Sequence, residues 1–229
     1  MTKMKLTKKK LISIVKPRLE KLGFKHFPDS NSLFQGTFVM KVDENMFLTL
    51  SLTIDRYYDS KFTGTYYLSP TTNAGTTWGD IPKDSSKRPG YILTDDEFVK
   101  YSKTGNLIAR DIWFDGYDDS ELNMFEEIIA LTYKRFSCDC ELRNRIYQSK
   151  DVQFLSKIAQ ETIETVKMSE FADNLEFIPE KDLHGVSIEW FKAAETVIRK
   201  EEYYLNKNTV IDLAFDAYRQ YYFSNSCRL

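Results

Sequence analysis

From Met46 to Asp55 the chain alternates with a period of two. Met46, Leu48, Leu50, Leu52 and Ile54 fall on one side, and Thr49, Ser51, Thr53 and Asp55 on the other. No helix accommodates that period, so the segment is predicted to be a strand with one apolar face. A strand needs neighbours, and the flanking sequence supplies them. Phe34, Phe38, Met40 and Val42 alternate with Gln35, Thr37 and Lys41 on one side, and Phe62, Tyr66 and Leu68 follow on the other. Asp43-Glu44-Asn45 suits a short hairpin loop, and Arg56 to Ser60 makes the second connection. The expectation is an antiparallel sheet with its apolar face packed and its polar face wet or thinly covered.

Around these strands the apolar period changes to that of a helix. Leu11, Val15, Leu19 and Leu22 form a stripe over Thr7 to Leu22, with Gly23 placed as a C-cap. Pro17 lies inside that stretch, so a bend or a start near Ser13 is expected. Thr94-Asp95-Asp96-Glu97 has the form of a capping box opening a short helix through Tyr101. Leu107 to Phe114 reads as a fourth strand. Asp118 to Glu121 opens a helix to about Phe136, carrying Leu122, Phe125, Ile129 and Tyr133.

The remainder is helical. Val152, Leu155, Ala159, Ile163 and Val166 form one stripe. Ser187 caps a helix with Phe191, Ala194, Ile198 and Leu205, and a last helix carries Val210, Leu213, Ala214, Ala217 and Tyr221. Ala172 to Gly185, with Pro179, reads as a linker. Strands first and helices after indicate an α+β fold. Residues 1–148 are expected to form an N-terminal helix on an antiparallel sheet of four or more strands. Residues 149–229 are a helical half, packed on the sheet or forming a small second domain.

Pro70 to Gly90 has no period at all. It holds three of the chain's six prolines and three of its nine glycines, with Trp78 and Ile81 as its large apolar side chains. A connection of that length inside a compact domain is usually functional or disordered. Trp78 is a candidate interface anchor or pocket roof, or else pins the loop onto the sheet. Arg88 and Tyr91 close the segment. Asp111, Asp115, Asp118, Asp119 and Glu121 then cluster with Trp113, Phe114 and Tyr117 between them. The last three acids are what a helix N-terminus prefers. Asp111 and Asp115 are left over, available to a divalent cation or to a basic partner.

Other chemistries find little support. The chain has three cysteines and two histidines. Cys138 and Cys140 lack the second ligand pair of a structural zinc site, and His26 and His184 are isolated. Asp182-Leu183-His184 is a local coincidence and not a triad. No P-loop, nucleophile elbow or glycine-rich dinucleotide motif occurs. Net charge is −2, but Met1 to Lys25 holds nine basic residues against Glu20 alone. That describes a basic first helix with a solvated face on an acidic body, without the interleaved aromatics of a nucleic-acid platform. No run approaches the length of a membrane span, and the few cysteines suit a reducing cytoplasm.

Lys16-Pro17, Leu22-Gly23-Phe24-Lys25, Phe62-Thr63, Arg88 and Trp113-Phe114 occur in an order that resembles an uncharacterised bacterial domain family of unknown function, over about residues 7–136. That resemblance implies no activity, and the residues themselves point to no cofactor and no metal site. Small, acidic, cytoplasmic domains without catalytic motifs are similar in style to bacterial toxin-immunity proteins. The expected function is therefore a non-enzymatic protein-binding module, immunity-type or regulatory. Its working surface would be formed by Trp78, Arg88, Tyr91, Asp111, Trp113, Asp115 and Tyr117, with carboxylates facing a basic protein. The alternative is a metal-dependent hydrolase or small-molecule-binding protein using Asp111 and Asp115, with the 70–90 loop as a lid.

Overall fold

The computed structural model describes residues 5–27, 35–43, 46–72, 82–168, 187–201 and 207–226. They divide into two compact units. Residues up to 69 (without 28–31) and 82–145 form the first, and 70–72 with the residues after 145 form the second.

Helix α1 (Lys8–Lys21) begins where Thr7 Oγ1 accepts from the Lys10 amide at 3.2 Å. It starts ahead of Ser13 and runs through Pro17. Its end is a Schellman turn: Gly23, at φ 95°, donates to Glu20 O, and the Phe24 amide donates to Leu19 O. Leu11, Val15 and Leu19 are buried, as the stripe requires.

The strands are β1 (Lys25–His26), β2 (Gly36–Asp43), β3 (Met46–Ile54), β4 (Lys61–Ser69), β5 (Ser86–Lys87) and β6 (Phe114–Asp115). The first four pair antiparallel in chain order. The outer edge of β4 is shared, with β5 against Tyr66 and Tyr67 and β6 against Lys61 and Phe62. The register aligns Phe38, Leu50 and Tyr66 on one face. Helix α3 (Asp119–Ser137) packs there: the Tyr66 hydroxyl lies 3.0 Å from Thr132 Oγ1, and Phe125 meets Phe62 edge-on at 5.2 Å. Burial drives the Tyr66 pKa far above its ordinary value. Arg18 of α1 pairs with Glu126 of α3 at 3.0 Å.

Two expectations are corrected. The polar face of the sheet is not wet, since Thr37, Thr49, Ser51 and Thr63 are all buried. Thr63 Oγ1 offsets the cost of burial by donating to Ile112 O at 2.8 Å, whereas Ser51 Oγ is buried with no hydrogen-bond partner among the described residues. Nor is Leu107 to Phe114 a strand, because only Phe114 and Asp115 join the ladder. Upstream, local side chains take the backbone donors. Ser102 Oγ accepts from Thr104 and Gly105, Thr104 Oγ1 from Asn106, and Asn106 Oδ1 from Ile108. Such bonds compete directly with a strand ladder.

Helix α2 (Asp95–Tyr101) opens on the expected capping box, complete on both sides. Helix α4 (Cys140–Gln148), absent from the sequence expectation, starts where Asp139 Oδ1 accepts from the Leu142 amide.

The second unit contains α5 (Lys150–Lys167), α6 (Ile188–Lys200) and α7 (Lys207–Ser226). Their stripes meet in a core containing Leu155, Ile158, Trp190, Val197, Ile211 and Ala214. Ser187 occupies the N-cap of α6, but its hydroxyl donates to Glu189 instead of capping an amide. Residues 70–72 dock on α7 through Asp216, Arg219 and Gln220. The Ala172 to Gly185 linker and Leu205 lie outside the described residues.

Candidate functional site

The connection between β3 and β4 carries an exposed pair of aromatic side chains. Asp55 Oδ1 accepts from the amides of Tyr57 at 2.6 Å and Tyr58 at 3.1 Å, an Asx turn that fixes the backbone locally. Lys61 closes the loop by donating to Tyr58 O, and Asp55 donates to Lys61 O. The turn points its aromatic rings outward, leaving Tyr57 90% and Tyr58 65% exposed.

Two neighbouring segments brace this turn. Leu6 donates to Asp59 O at 2.6 Å, and Gly116 donates to Ser60 O at 2.9 Å. Ser60 Oγ donates to Asp115 Oδ2 at 2.7 Å, while the Tyr117 hydroxyl reaches Lys5 O at 3.3 Å. Gly116 has no spare room, because a Cβ there would lie 2.8 Å from Leu6 Cδ2. Residues 5–6, 55–61 and 114–121 thus form one interlocked end of the sheet, on which Tyr117 is a third exposed tyrosine.

A charge network underlies it. Lys61 Nζ lies 3.0 Å from Glu121 Oε2 and 3.8 Å from Asp115 Oδ2, and Lys103 reaches Glu121 Oε1 at 2.5 Å. The Asp115 amide also donates to Glu121 Oε2. Burial works to raise the Glu121 pKa, but the bonds from Lys103, the Asp115 amide and Lys61 outweigh it and hold the carboxyl below its ordinary range. Asp118 is held low by the Ser120 hydroxyl and by the two amides it caps. Glu121 and Asp115 are therefore neutralised locally. Asp55 and Asp59 flank the two tyrosines in the turn, with Arg56 beside them in sequence.

A lowered pKa has a definite sign. The Glu121 carboxylate stabilises the fold above its ordinary value of 4.5, and that contribution is lost as pH falls through the folded value. Glu121→Gln should cost about 1–3 kcal/mol at pH 7 and should flatten the acid limb of stability against pH. Urea denaturation between pH 3 and 7 checks this; a variant with the parent's pH slope would contradict it.

The other sequence candidates form a separate group along the same edge of β4. Arg88 pairs with Asp111 at 2.5 Å, and its guanidinium lies 5.5 Å from the centre of the Trp113 ring. Tyr91 ends a single 3-10 turn starting at Pro89, and its amide donates to Arg88 O. Gly90 lets the Arg110 carbonyl approach so closely that a Cβ would sit 1.9 Å from it. The structure thus brings together Arg88, Asp111 and Trp113 with Tyr91 alongside, and Asp115 with Tyr117. Asp111 and Asp115 have different cations beside them, Arg88 and Lys61. Trp78 and His184 lie outside the described residues.

Among the described residues no group of three or more histidines, cysteines, aspartates or glutamates is placed to hold a metal ion. Cys138, at the end of α3, and Cys140, the first residue of α4, are exposed, and His26 packs at 5.1 Å from Phe38. No helix among the described residues is long and apolar enough to cross a membrane. Sequence reasoning passed over Tyr57, Tyr58 and Lys61 as site residues, and read Glu121 as a helix-opening acid. The available signal was two adjacent tyrosines between Asp55-Arg56 and Asp59-Ser60, aromatic residues set among turn formers. In comparison with known proteins, the chain matches no family model, no curated protein and no solved structure.

Proposed function

We propose that this chain is a non-enzymatic protein-binding module, of the immunity or regulatory kind, that acts by covering a basic surface of another protein. The observation that carries this reading is the adjacent pair Tyr57 and Tyr58, held out into solvent on a turn with fixed backbone. Tyrosine gives large contact area for little lost side-chain entropy and is enriched at interface hot spots. A turn already ordered before binding avoids the cost of ordering it afterwards. Asp55 and Asp59, which flank the pair in the same turn, would steer a lysine- or arginine-rich partner.

Replacing Tyr57 in the full chain by a photo-crosslinking phenylalanine analogue, in the native cell, tests the reading. One dominant protein adduct is expected from position 57, repeated from position 58. The control is Tyr147, also exposed but in the second unit. The same adduct from all three positions, or none from 57 and 58, would argue against this surface.

A further inference from the structure

We infer that the first unit also carries a weak self-association surface, separate from the tyrosine turn, at which α2 of one copy lies antiparallel against α2 of a second. Its apolar part consists of Val99 on α2 and Leu107 and Ile108 on the following loop. All three are exposed, Ile108 to 91%.

The loop does not hang free. It leaves the C-terminal end of α2, where the Ser102 amide donates to Phe98 O. It returns to the N-terminal end, where Arg110 donates to Leu93 O at 2.8 Å and Thr94 O at 3.0 Å and pairs with Asp95. Between these anchors runs the chain of bonds from Ser102 through Thr104 and Asn106 to the Ile108 amide. Leu107 and Ile108 are thus presented on ordered backbone, so little ordering entropy opposes covering them.

Charge complementarity identifies the occupant as a second copy. A two-fold interface requires one patch to complement itself. Helix α2 carries Asp95, Asp96 and Glu97 in its first turn and Lys100 in its last. Asp96 and Lys100 are both exposed and lie one turn apart on one face, beside Val99. Asp96 makes no ion pair among the described residues. Lys100 makes no ion pair among the described residues; it donates to the neighbouring Tyr101 hydroxyl at 3.2 Å, and the charges of Glu127 and Glu97 act on it from further away. A two-fold axis passing between Asp96 and Lys100 sets each aspartate opposite the other copy's lysine, opposes the helix dipoles, and joins the two sets of Val99, Leu107 and Ile108. Three apolar side chains per copy make a small interface, under about 1,200 Å² in total, so the dimer is expected to be weak, with a Kd on the order of 100 µM.

Sedimentation velocity of the full chain from about 10 to 500 µM tests this range around that Kd. Reversible dimerisation is expected, with loss of the dimer in Ile108→Asp, whose side chain is exposed and whose circular dichroism should match the parent. Asp96→Lys alone and Lys100→Asp alone should each be monomeric, because each sets like charges together. Mixed, they should form a heterodimer, since both contacts then pair opposite charges. A monomer across the range, dimerisation insensitive to Ile108→Asp, or a mixture that stays monomeric would each overturn the inference. The third outcome would leave a dimer of different geometry or another protein as the occupant of this face.

Discussion

Phe125→Ala is expected to destabilise the first unit by about 3–5 kcal/mol. Phe125 is fully buried on α3 and meets Phe62 of β4 at 5.2 Å and Phe114 of β6 at 5.1 Å, both edge-on. Removing the ring leaves a cavity beneath the two-residue strand that positions Asp115. Glu121 lies one turn earlier on the same helix and holds both Lys61 and the Asp115 amide. The loss should therefore spread to the interlocked end of the sheet. Denaturant unfolding and amide exchange check this: exchange should accelerate at Phe114 to Tyr117 more than in α5 to α7. A cost under about 1 kcal/mol would mean that the aromatic cluster is not the support described here.

Asp216→Ala is expected to be equally severe, but in the second unit. Asp216 is buried on α7 and accepts from the Thr72 amide at 2.5 Å, the Thr72 hydroxyl at 2.7 Å and Gln220 at 3.0 Å. Burial raises its carboxyl pKa, while the Thr72 bonds and the charge of Arg219 work in the opposite direction. Alanine would strand the buried Thr72 amide and remove a carboxylate that offsets the buried Arg219, a loss of about 3–5 kcal/mol. Arg219→Met in the same chain should return part of it, because the charge left behind is then gone too. Because the chain has two units, the loss should be read from amide exchange in α5 to α7, not from one global transition. A double variant whose cost equals the sum of the two single ones would argue against a shared network.

Local grammar made much of the fold legible. The alternation from Met46 onward, Gly23 after the first helix, Thr94 with Glu97, and Asp118 before α3 are each short-range signals, and each element forms where they indicate. The failures came where distant partners decide. Leu107 to Phe114 looks like a strand residue by residue. However, β5 occupies one stretch of the outer edge of β4, and within the expected strand Asn106 Oδ1 takes the Ile108 amide. Nor could the sequence show that Asp111 pairs with Arg88 while Asp115 lies 3.8 Å from Lys61, since those cations come from different parts of the fold. Tyr57 and Tyr58 could not be told from core tyrosines by identity alone, since Tyr66, nearby in sequence, is fully buried.

The claim that the tyrosine turn is the working surface is tested most directly by titration calorimetry. The protein captured from position 57 would be titrated against the parent chain and against Tyr57→Ala/Tyr58→Ala. Both side chains are exposed, so the melting temperature should change little while affinity falls by about 100-fold or more. An affinity within about threefold of the parent, a difference of less than about 1 kcal/mol, would place the binding surface elsewhere.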